Sequence, residues 1–196
     1  MHPDDVLDLL AGQVAELERM LESRPELGVM GLERADTDIL ITIGVEHTAA
    51  APVPLEVALA VAGEKKLVVP GVGGDVVTLF NVPTLVPILG QQTKRDLLLR
   101  VGCDGFDGRP PLAELLRPVD RTPLPGPEWP RDPAGQGIVD GHPRYKRKFF
   151  CRPGFREFHE HDQHADQPWD AIREQSTLGW LLVPLLSDLM TRWKLL

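Results

Sequence analysis

Proline is spread so unevenly along this chain that it decides how the rest can be organised. Residues 105 to 141 read GFDGRPPLAELLRPVDRTPLPGPEWPRDPAGQGIVDG. Proline fixes φ and carries no backbone N–H, so neither a long helix nor a central strand is compatible with such spacing. The stretch has little apolar periodicity outside LAELL and reads as an irregular connector over the surface, pinned by Trp129. It separates a leading part, residues 1–104, from a closing part, residues 142–196. At 196 residues the whole is expected to be a single α+β domain with a real core.

The leading part opens on a helix. Pro3 suits a first helical turn, and Asp4, Asp5 and Asp8 lie where the helix dipole favours negative charge. Val6, Leu10, Val14, Leu17 and Leu21 recur at intervals of four, four, three and four, which makes one apolar stripe, and Pro25 ends it. The texture then changes. ILITIGVE (39–46), LEVALAVAG (55–63), KLVVPG (66–71), VVTLFNV (76–82) and DLLLRVGC (96–103) are short, rich in Val, Ile and Leu, and bounded by Gly, Pro, Asp or Asn. Such a series predicts an antiparallel strand meander. The PGVGGD segment (70–75) lacks the lysine and spacing of a phosphate-binding loop and reads as a turn, and VPTLVPILG (82–90) reads as a loop or edge.

The closing part ends in TLGWLLVPLLSDLMTRW (177–193), apolar nearly all round, which predicts a buried helix with a kink or a fresh start near Pro184. No stretch approaches the roughly 18 uninterrupted apolar residues of a bilayer span. A net charge of −8 argues against nucleic acid as a general partner, since phosphate binding needs a basic footprint. No secretory signal is visible ahead of the two cysteines, Cys103 and Cys151, so reduced thiols in a cytoplasm are expected.

Reactive side chains concentrate in CRPGFREFHEHDQHADQPWD, Cys151 to Asp170, which holds one of the two cysteines, three of the six histidines and five carboxylates. If residues 155–161 run extended, Glu157, His159 and His161 project to one side, while Phe158 and Glu160 project to the other. Pro153 and Gly154 would turn the chain so that the Cys151 thiol comes back towards the imidazoles. Cys151, Glu157, His159 and His161 would then make a four-ligand set, with His164 able to replace the glutamate. Thiolate, imidazole and carboxylate together suit Zn2+ best, with Fe2+ or Mn2+ as second choices. From the residues alone an alternative stays open, a polar loop whose histidines hydrogen-bond to neighbouring acids. Cys103, at the end of an apolar strand, reads as a small buried residue.

Charge is polarised around this stretch. RYKRKFFCRPGFR (144–156) holds six Lys or Arg and no acid, while Glu157 to Glu174 holds six acids against one arginine. The basic run is either a solvated strand or a docking surface for an acidic partner. It would also lower the pKa of the Cys151 thiol.

The order of parts carries a resemblance. An N-terminal amphipathic helix, a strand meander, Pro110 and Pro111, then His142 and Pro143, Cys151 nine residues after that histidine, Trp169 and apolar C-terminal helices together resemble the ubiquitin-conjugating enzyme fold. From Gly141 to Leu189 the chain is also similar to a bacterial family of predicted metal-binding proteins with a Cys-Glu-His-His signature, found beside ubiquitin-like modification components. The second resemblance implies a metal-binding accessory protein of such a pathway. The first implies that Cys151 is a catalytic residue carrying a ubiquitin-like protein as a thioester received from an activating enzyme. Two departures matter: conjugating enzymes follow His-Pro with Asn where this chain has Arg144, and they have far fewer residues between the cysteine and the Trp. A metal-dependent hydrolase is disfavoured because no HExxH spacing appears.

Overall fold

A computed structural model describes residues 3–50, 69–70, 76–77, 90–135 and 137–193. Helix α1 spans Pro3–Glu22, and all five residues of its predicted stripe, Val6, Leu10, Val14, Leu17 and Leu21, are buried. Strands β1 (Val29–Ala35), β2 (Asp38–Ala50), β5 (Gly90–Gly102) and β6 (Leu112–Leu116) form a four-stranded antiparallel sheet in the order β1-β2-β5-β6. The short strands β3 (Val69–Pro70) and β4 (Val76–Val77) pair antiparallel with each other. The predicted strand at 55–63, the turn residues 71–75 and the 82–89 loop lie outside the described residues. The chain divides into two units, residues 1–46 with 94–196 and residues 47–93. β3 and β4 belong to the second, whereas α1, the main hydrophobic core and the Cys151–Asp170 segment belong to the first.

Side-chain alternation gives the sheet two unlike faces. Ile39, Ile41, Ile43, Leu97, Leu99, Val101, Ala113 and Leu115 enter the main core, together with α1 and helix α3 (Leu178–Thr191). The opposite face carries a small cluster of Leu40, Leu98 and Leu116. Beside it Arg100 bonds Asp38 at 2.9 Å and Glu114, its cross-strand partner, at 3.1 Å. α3 runs through Pro184 without a new start there. The carbonyl that Pro184 leaves without its helical donor is that of Trp180, and both residues are exposed, so water can satisfy it.

The stretch 105–141 is more ordered than a surface connector. LAELL is strand β6, the outer strand of the sheet on the side of β5, because Ala113 and Leu115 fit the core face while Glu114 and Leu116 fit the other. Ile138–Val139 (β7) pairs with Phe149–Phe150 (β8). Trp129 is buried against Phe150, with ring centroids 5.1 Å apart, and donates its indole N–H to the Leu124 carbonyl. No described helix is long and apolar enough to cross a membrane.

Candidate functional site

The expected extended run at 155–161 is instead a short helix, α2 (Arg156–His159), with Phe155 at its N-cap. The cause is packing: Phe155 and Phe158, three apart, are both buried, which a helical turn allows and strict alternation forbids. Arg156 reinforces the turn. It is 6% exposed and donates to the carbonyls of Pro110 and Asp104 and to the Asp104 carboxylate.

On a helix, residues two apart point in widely different directions, so Glu157 and His159 do not share a side. Glu157 is fully buried. It accepts from Arg147 at 3.1 Å and from the Ala113 N–H at 3.4 Å, and its own carbonyl lies 2.9 Å from Nε2 of His142. Burial pushes its carboxyl up to about 7, against the pull of Arg147. His142, also fully buried, uses its other nitrogen to accept from the Arg144 and Tyr145 N–H groups. Its pKa is lowered by burial.

His159 bridges two backbone segments. Its Nε2 accepts from the Gly154 N–H at 3.0 Å and its Nδ1 meets the Gln167 carbonyl at 2.7 Å, so both ring nitrogens are used. Burial lowers its pKa, which keeps the accepting nitrogen unprotonated. His161 lies past the helix, accepts from the Gln163 N–H through Nδ1 and stacks on Phe149 at 5.8 Å. Glu160 is held by the Tyr145 hydroxyl and Arg144, each at 2.7 Å, and by Arg109 at 3.3 Å. Burial pushes the Glu160 carboxyl up, but these donors outweigh it and leave the pKa below the ordinary value.

The expected set Cys151, Glu157, His159 and His161 is therefore not gathered around one point. Among the described residues no group of three or more His, Cys, Asp or Glu is arranged to hold a metal ion. What the fold does bring together is Cys151 and His164, with Sγ and Nε2 3.4 Å apart. His164 is fixed by a parallel stack on the buried Phe158 ring, centroids 3.8 Å apart at 13°. Cys151 is set in place by its N–H bond to the Gly137 carbonyl at 2.9 Å and by the turn at Gly154. Gly154 has φ +97°, and a Cβ there would clash with the Leu181 side chain.

Cys151 is one of the residues lining a depression of about 220 Å³, with Asp132, Gly137, Arg152, Asp188 and Trp193. Burial raises the pKa of its thiol, and among the described residues no cation lowers it. The lowering expected from the basic run does not occur, because its charges are spent elsewhere. Arg144 pairs with Glu160, Arg147 with Glu157, Lys148 with Asp140, Arg152 with Asp188 and Arg156 with Asp104. The sequence dipole is thus folded largely onto the protein's own acids. Cys103 is fully buried, its thiol pushed up to about 12 by burial, which removes it from chemistry. Both cysteines are free thiols.

Sequence reasoning missed the parts played by Phe158, Arg147 and Tyr145. The one available signal for Phe158 was its spacing of three from Phe155. Compared with known proteins, the chain matches no protein-family model, and no curated protein is significantly similar to it.

Proposed function

We propose that Cys151 is the nucleophile of a thiol-dependent acyl carrier of the ubiquitin-conjugating kind. The observation that carries this reading is the contact with Nε2 of His164 made by its Sγ, on a residue that also lines a surface depression. A thiol whose pKa is raised by burial is protonated at neutral pH, so it needs a base at the moment of attack. Among the described residues, His164 is the imidazole in contact with the thiol, and it would take that proton. In the transfer, the Cys151 sulfur attacks the carbonyl carbon of a modifier's C-terminal thioester on its activating enzyme. A new C–S bond forms as the old one breaks, and the proton taken by His164 passes to the departing thiolate. The order helix, four-stranded antiparallel sheet, cysteine-bearing segment and C-terminal helix supports the fold side of this reading. The chemistry calls for a reduced thiol, as in a cytoplasm, with a ubiquitin-like protein and its activating enzyme as partners.

A second reading, an accessory protein binding Zn2+, rests on the same pair. The 3.4 Å between Sγ and Nε2 suits two ligands of one tetrahedral zinc, for which bond lengths of about 2.3 and 2.0 Å give a similar separation. A further imidazole, His161, has its ring centroid 5.8 Å from that of His164. Glu157 and His159 are committed to Arg147 and to the backbone, and serve as ligands only if the segment rearranges. Fe2+ or Mn2+ would suit a thiolate–imidazole pair less well.

The test is acyl transfer from a small glycyl thioester to the purified chain, followed by mass spectrometry, with metal content measured on the same sample. We expect one hydroxylamine-sensitive adduct, abolished by Cys151→Ser and slowed about a hundredfold by His164→Ala. An unchanged rate in His164→Ala refutes the catalytic pair. Stoichiometric zinc lost on either substitution, without an adduct, transfers the case to the metal reading.

A further inference from the structure

A second surface lies on the first unit and involves neither Cys151 nor His164. Strand β1 ends the sheet order, and among the described residues nothing pairs with its outer edge. An edge strand of this kind presents unpaired N–H and C=O groups, a template for one more strand. β1 is unusually open: Met30 is 56% exposed, and a Cβ at Gly31 would meet nothing within 4 Å. Its register shifts between Val29 and Gly31, so the strand is irregular where it opens.

Beside this edge is a cavity of about 330 Å³ between α1 and β1, whose lining residues include Leu21, Val29, Leu32, Glu18 and Glu22. Both glutamates are exposed, and neither has an ion-pair partner among the described residues, whereas Glu16 is paired with Arg19. Glu22 is the last residue of α1, where the helix dipole already favours cations and an acid is locally unfavourable. The end of α1 and its two acids therefore turn the cavity mouth towards positive charge, while its floor stays apolar.

From these features we infer that the β1 edge binds an extended basic peptide by strand addition. The main chain of the peptide would pair with β1, an apolar side chain would enter the cavity, and an alternate lysine or arginine would face Glu18 and Glu22. A second copy of this chain is the wrong occupant on charge grounds. It would bring a second α1 end and a second Glu18 and Glu22 to the same seam, in a protein already carrying −8.

The experiment uses the full chain, labelled for amide NMR, and a blocked peptide of alternating lysine and valine. We expect saturable shifts confined to Val29–Ala35 and the end of α1, weakening as salt rises. Glu18→Gln with Glu22→Gln should weaken binding roughly fivefold, the worth of two exposed ion pairs. The same peptide N-methylated at alternate residues tests the main-chain pairing without touching the protein, and its binding should be lost. Equal binding of the methylated peptide, equal binding of a glutamate–valine peptide, or shifts elsewhere would overturn the inference. So would sedimentation showing that the edge is closed by a second copy. Because none of these readouts involves Cys151, the outcome is independent of the thiol chemistry.

Discussion

Glu157 shows how one residue's type can be read correctly as chemically loaded and its role still be set by distant neighbours. Its partners are Arg147, ten residues away, and the Ala113 N–H, 44 away. With its carboxyl raised to about 7 by burial, the folded chain holds a proton that the unfolded chain releases near the ordinary glutamate value of about 4.3. This contribution to stability is complete below the unfolded pKa and is lost as pH rises from there through about 7. The shift corresponds to a change of order 3 kcal/mol. Glu157→Gln should flatten that part of the pH dependence, as read from urea midpoints at acid and mildly alkaline pH. A variant with the wild-type slope would show that Glu157 is not the group responsible.

Among the elements, α1 was legible almost residue by residue, since a five-membered apolar stripe at helical spacing has one way to be buried. α2 was not. Its four residues, REFH, contain no capping side chain, and its helicity follows from where Phe155 and Phe158 find core to enter. α3 lies between these cases: its apolar character was plain, but its start was not. Thr177 supplies that start by accepting from the Trp180 N–H at 3.2 Å. Thr177→Ala should cost about 1 kcal/mol in chemical denaturation, with Thr177→Ser close to wild type. β6 likewise depended on context, because LAELL is as apolar as many helical turns and becomes a strand by pairing with β5.

Across the whole first unit, one side chain ties remote segments together. Arg156 joins α2 to the 104–111 loop through two carbonyls and a carboxylate, 46 to 52 residues away in sequence. Removing it leaves the carbonyl of the buried Pro110 without its donor and the Asp104 carbonyl and carboxylate without a cation. Arg156→Met should therefore destabilise the protein by roughly 2–3 kcal/mol, measured by thermal or urea unfolding. If Arg156 merely filled space, Met would be nearly neutral. The electrostatics act at the same scale: Arg144, Arg147, Lys148, Arg152 and Arg156 of the basic run pair with acids of the fold, and the pKa of the Cys151 thiol is raised by burial.

Sequence by itself determined the helix α1, the presence of an antiparallel strand system, the buried C-terminal helix and the concentration of reactive groups between Cys151 and Asp170. Those features follow from periodicity and residue type, which are local. Tertiary structure alone decided which reactive groups meet. Whether 155–161 is extended or helical depends on which aromatic rings the core accepts, and that choice turns Glu157 inward to Arg147, commits His159 to the backbone and leaves His164 facing the thiol.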